Sequence, residues 1–156
     1  MDQEVRQKKF TPTQAKLKAE SYCAYQERCQ QEIRRKLSEW GVWGIDAEEI
    51  ILHLIHENYL NEERFAKAYA GGKFRTQHWG RTRIKRELKQ REISEYCIKQ
   101  AMKEIDEDDY FEVIKKEAEK KLAQTKLKLE WQKKQKVAQY LISRGFEADL
   151  VWQVLK

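Results

Sequence analysis

Proline occurs once in this chain of 156 residues, and glycine six times. A strand-dense fold needs frequent tight turns, and so few turn formers argue against one. No run of about 18 apolar residues occurs, so no membrane span is expected. The N-terminal stretch MDQEVRQKKF lacks an apolar core of signal-peptide length. The three cysteines, Cys23, Cys29 and Cys97, are odd in number and contain no C-x-x-C pair. That pattern suits neither a disulfide framework nor a zinc site, and points to reduced, buried thiols in a soluble, cytoplasmic protein. A phosphate-binding G-x-x-x-x-G-K-[ST] loop is missing. Gly71-Gly72-Lys73 is too short for one and has no preceding strand. The pair is expected to loosen or end a helix, or to allow close backbone approach. His53 and His56 have only Glu49 or Glu57 nearby as a third ligand. Cys23 and Cys29 have no His or Asn constellation to make either a nucleophile. No enzyme activity, metal or cofactor is expected.

What the chain does have is helical periodicity. Apolar residues recur three and four apart over long stretches. Thr11 followed by Pro12 suits a cap and a first-turn proline. Asp46 with Glu49 has the spacing of a capping box, and Asn61 precedes another helix-like segment, EERFAKAYA. The expected fold class is all-α.

One pattern is written three times. Ile33, Leu37, Trp40, Gly41 and Val42 align with Ile84, Leu88, Arg91, Glu92 and Ile93, and with Val137, Leu141, Arg144, Gly145 and Phe146. Downstream, Ile93 leads to Ile98 and Ala101 at the same steps as Phe146 to Val151 and Val154, and after a short insertion, WGI, the first copy follows with Ile45 leading to Ile50 and Leu54. Upstream, each copy offers aromatic anchors: Tyr22 and Tyr25, Phe65 and Tyr69, Tyr110 and Phe111. The glycine in two copies can take the left-handed conformation that ends a helix. The unit is therefore three helices. A flexible tail is expected over residues 1–10, with repeats at 11–60, 61–105 and 106–156. Units this short share a core with their neighbours. Their even spacing favours three tandem repeats in an elongated, curved array over one continuous nine-helix bundle.

Charge is unevenly divided among the copies. Residues 11–60 carry 6 basic and 8 acidic groups, residues 61–105 carry 12 and 6, and residues 106–156 carry 11 and 10. From Lys73 to Arg91 eight basic residues face one acid, Glu87. If 81–91 is helical, Ile84 and Leu88 define its buried side. The rest of that helix is single-signed, which costs stability through repulsion between neighbouring turns. Such a face is either simply solvated or suited to phosphates or an acidic protein surface. Lys73, Arg75, Trp79, Arg81, Arg83, Lys85, Arg86 and Lys89 are the candidate contact residues. Trp79 is placed to stack on a base or dock into a partner, or else to pack on its own repeat. Gly80 serves the turn, and His78 is placed to join an anion contact. The segment 115–136 mixes nine Lys with three Glu and has the texture of one long solvated helix, partly paired within itself. The acidic run 106–109 suits the start of that helix.

The stretch YLNEERFAKAYAGGKF (59–74), followed by GRTRIKRELKQREI (80–93), resembles the middle module of the RecX family, bacterial regulatory proteins acting on RecA. VAQYLISRGFEADLVWQVL (137–155) is similar to that family's last module and RRKLSEWGV (34–42) to its first. The resemblance implies three three-helix units. It also implies binding to the RecA–DNA filament and inhibition of RecA ATPase and recombination, within DNA repair and the SOS response. The implied partners are the RecA filament and single- or double-stranded DNA, the latter bound weakly alone, by a monomer without a membrane association. Glu92 departs from the pattern, standing where family members usually carry Gly. A free-standing DNA-binding protein built of helix-turn-helix-like modules, or a purely structural helical adaptor, is the alternative.

Overall fold

The computed structural model describes residues 10–156, which form helices and no strands. In chain order the helices are α1 (Pro12–Tyr25), α2 (Gln30–Glu39), α3 (Gly44–His56), α4 (Glu62–Gln77), α5 (Arg81–Gln90), α6 (Glu95–Met102), α7 (Glu107–Gln124), α8 (Glu130–Ser143) and α9 (Ala148–Leu155). Among the described residues none is long and apolar enough to cross a membrane. Two compact units divide the chain, one ending at Phe65 and the other running from Ala66 to Lys156.

The repeated pattern becomes a repeated turn. After α2, Gly41 N–H donates to Ser38 O (3.0 Å) and Val42 N–H to Leu37 O (2.8 Å). After α5, Glu92 donates to Lys89 O (2.9 Å) and Ile93 to Leu88 O (3.1 Å). After α8, Gly145 donates to Ile142 O (2.9 Å) and Phe146 to Leu141 O (3.1 Å). All three are Schellman caps, in which a left-handed residue lets the chain fold back on the last helical turn. The left-handed residues have φ of 87°, 61° and 102°. Glu92 thus holds the glycine conformation without being glycine, at a cost of about 1 kcal/mol. The leucine and the apolar residue closing each cap, Leu37 with Val42, Leu88 with Ile93 and Leu141 with Phe146, are all buried.

In the first unit, α1, α2 and α3 close over Ala15, Ala19, Cys23, Ile33, Leu37, Ile51 and Leu54. Thr11 caps α1 reciprocally with Gln14, and Asn61 Oδ1 accepts from Arg64 N–H at 2.9 Å to cap α4. Asp46 does not cap α3. That helix begins at Gly44, after Trp43, because Gly44 turns the chain with φ 66° two residues earlier. Asp46 lies in the first turn instead, where its charge still meets the dipole favourably. Tyr25, expected as an anchor, is 83% exposed. Burial pushes the Cys23 thiol from 9.0 up to about 11. His53 meets Glu20 at 2.6 Å, and His56 meets Glu57 at 3.0 Å. The tail expected over residues 1–10 lies outside the described residues except for Phe10, whose N–H donates to Trp40 O at 3.2 Å.

In the second unit an aromatic row carries the core. The Phe74 ring lies 5.7 Å from Tyr110, and Tyr110 lies 5.6 Å from Phe146. Gly71 and Gly72 neither end nor break α4, which continues to Gln77. Gly71 instead makes room for the Arg75 guanidinium, whose nitrogen would stand 2.6 Å from a Cβ there. The lysine-rich stretch is not one helix. Thr125 leaves the helical conformation at ψ 122° and donates its hydroxyl to Lys121 O at 2.7 Å. The chain then turns through 125–129 into α8. The acidic run does open α7, with Asp106 as its cap.

Candidate functional site

The basic run begins at the end of α4 and continues through α5, within the second unit. The first residues of α5 are committed to the third repeat. The opening N–H groups of α5 have no partners in their own helix and need others. Gly80 donates to Arg144 O and Thr82 to Gly145 O, both at 2.9 Å, and Arg81 donates to the Tyr110 hydroxyl at 2.9 Å. This approach is possible because both turns carry glycine. A Cβ on Gly80 would stand 2.1 Å from the Gly145 carbonyl carbon, and one on Gly145 would stand 2.4 Å from Arg83 Cβ. Three of the opening amides of α5, those of Gly80, Arg81 and Thr82, are thus occupied within the chain.

Arg81 itself faces inward. Its Nε donates to Glu147 at 2.9 Å, its Nη1 lies 3.7 Å from Glu107, and its guanidinium sits 4.1 Å from the Tyr110 ring centre. The Tyr110 hydroxyl donates to the other Glu147 oxygen. Burial, and then that hydrogen bond to Glu147, push the Tyr110 phenol well above its usual range, so it stays a donor. Burial opposes the Arg81 charge, but Glu147 and Tyr110 outweigh it and raise its pKa. The Arg144 guanidinium donates to Gln77 O, and His78 meets Glu117 at 3.3 Å. Arg81 and His78 therefore hold repeats together within this chain.

A second group of cations packs on aromatic rings. Tyr69 and Trp79 meet edge-on at 6.3 Å. Arg83 lies 3.9 Å from the Trp79 ring centre, Lys73 lies 4.8 Å from it, and Arg91 lies 4.8 Å from the Tyr69 ring centre. Arg91 also pairs with Glu87 at 3.2 Å, which removes the one acid of the run. Trp79 thus packs on its own repeat, half-buried under two cations.

What remains is Lys85, Arg86 and Lys89, all exposed. With Thr82 and Gln90 they line a shallow surface groove on α5. Among the described residues no carboxylate lies within ion-pair distance of these three. Lys85 and Lys89 are four apart, and Arg86 and Lys89 three apart, so each repels the next and gains nothing from its own helix. Arg75 is exposed as well, on α4 over Gly71. The eight candidates therefore separate into Arg81, a structural staple; Lys73, Trp79 and Arg83, an aromatic–cation cluster; Lys85, Arg86 and Lys89, an open basic face; and Arg75 beside them in sequence. Glu147, Tyr110 and Gly145, the partners that take Arg81 and Gly80 out of play, were not anticipated. They lie far along the chain, and no local pattern links them to the basic run.

Family profiles for the second and third three-helix domains of RecX match residues 61–102 and 107–155. The regulatory protein RecX of Yersinia enterocolitica is 33% identical, the match covering 77% of this chain and 83% of that protein. That of Bacillus licheniformis is 31% identical over 89% of this chain and 53% of its own length. The chain thus spans about half the length of that relative. A crystal structure of regulatory protein RecX superposes with a TM-score of 0.83 at 25% identity, covering 92% of this chain and 72% of the other. RecX from Lactobacillus salivarius shares the fold with a TM-score of 0.81. This all-helical chain belongs to the RecX family of regulatory proteins.

Proposed function

We propose that this chain, built of three-helix units at 11–60, 61–105 and 106–156, is a cytoplasmic regulator that binds the RecA–DNA filament and inhibits RecA ATPase and recombination. The open face of α5 makes the contact. The observation that carries this reading is the set Lys85, Arg86 and Lys89, exposed, like-charged and with no carboxylate in ion-pair distance among the described residues, while Lys73, Arg81, Arg83 and Arg91 are engaged within the chain. A face that costs its own helix stability gains it back against phosphates or acidic protein surface. Lys73, Arg75, Trp79 and Arg83 are the remaining candidates for this contact.

The test is a triple reversal, Lys85→Glu, Arg86→Glu and Lys89→Glu, assayed for inhibition of RecA ATPase. These side chains are exposed, so circular dichroism and melting should match the parent protein. The variant should need at least about tenfold more protein for half-inhibition. Undiminished inhibition by the folded variant contradicts the assignment. Tight, sequence-selective binding to DNA without RecA, near physiological salt, would favour a free-standing DNA-binding protein instead.

A further inference from the structure

A second single-signed segment lies in the third repeat. From Lys120 to Lys136 seven lysines face one acid, Glu130, and Glu130 already pairs with Lys133 at 3.8 Å. The charge is as lopsided as on α5, and it surrounds the link between α7 and α8. Apolar surface is exposed there too. Trp131 is 61% exposed and Leu129 50% exposed. The α8 stripe that carries Ala138 and Leu141 into the core continues back through Lys134 to Trp131 at helical spacing. There it runs past the end of the core. Unlike Trp79, Trp131 has no ring or cation packed on it among the described residues.

An exposed indole set among lysines has few uses. Protein interface cores are depleted in lysine, so an apolar protein hot spot fits poorly here. A duplex keeps its bases stacked inside and offers no free face to an indole. A single strand offers both an unstacked base and a backbone of phosphates, and proteins that bind it combine aromatic platforms with cationic tracks.

We propose that the α7–α8 link is a second nucleic-acid contact, where Trp131 stacks on a base of a single strand and Lys126, Lys128 and Lys134 neutralise its phosphates. This site does not rest on the α5 reading, because its test contains no RecA and leaves α5 intact.

The experiment uses the full chain and a dye-labelled oligo(dT) of about twenty nucleotides, followed by fluorescence anisotropy at several salt concentrations. Trp131→Ala should weaken binding roughly tenfold, while Trp131→Phe retains most of it. The Trp131→Ala loss should be much smaller on a duplex of equal length. Replacing Lys126, Lys128 and Lys134 together by Gln should lower the salt slope of log affinity by about 2, the value for three phosphates on a single strand. Parent-like affinity of Trp131→Ala for oligo(dT) overturns the proposal, and so does an equal loss on duplex.

Discussion

Arg81 and Lys85 stand one turn apart on α5, and both are cations in the same basic run. Arg81 is held by Glu147, Glu107 and the Tyr110 ring, while Lys85 projects into a groove lined by Arg86 and Lys89. One charge is part of the architecture and the other is available to a partner. A run of like charges is therefore not one surface. The first turn of α5 contacts the third repeat, while the later turns bury Ile84 and Leu88 and expose Lys85, Arg86 and Lys89. Part of the second repeat's positive charge fastens it to an acidic position, Glu147, and the exposed remainder on α5 is the face proposed above to meet a partner.

The contrast can be broken most severely at Gly80. Gly80→Ala drives a methyl group into the Gly145 backbone, 2.1 Å away, where no side chain can move aside. It should destabilise the second unit by about 3 kcal/mol or more, measured as a lowered unfolding midpoint in urea. A neutral effect would mean that the two turns separate easily. Next comes the pair itself. Arg81→Ala should cost about 2 kcal/mol by leaving Glu147 without its cation, whereas Lys85→Ala should stay within about 0.5 kcal/mol. Equal costs would erase the distinction between the two residues, and a double-mutant cycle of Arg81 with Glu147 should show coupling of about 1 kcal/mol or more. The smallest effect is a gain. Glu92→Gly relieves the left-handed strain at φ 61° and should stabilise by about 1 kcal/mol, with no change in RecA inhibition, since Glu92 is outside the basic face.

The turns and helices were legible because their causes are local. Thr11, Pro12 and Asn61 act on the next few residues, and the spacing from Leu88 to Ile93 fixes a cap whether or not glycine lies between. Asp46 misled because Gly44 could turn the chain earlier, and the lysine-rich stretch because Thr125 closes α7 against Lys121 O. At the site, the buried positions of Ile84 and Leu88 followed from period alone. Which cations were open did not. Arg81 is occupied by a residue 66 positions away, and Arg83 by the ring of Trp79, which follows the left-handed His78 at φ 54°. Trp131 shows the reverse, an aromatic at core spacing that is left exposed.

The most direct test of the outward α5 face is site-specific photocrosslinking to an assembled RecA–DNA filament. A photoreactive amino acid would replace Arg86 in one protein and Lys99, exposed on α6 of the same repeat, in another. A crosslink to RecA or DNA is expected from position 86 and little or none from position 99. Crosslinking from 99 with none from 86, in variants that still inhibit RecA, would contradict it.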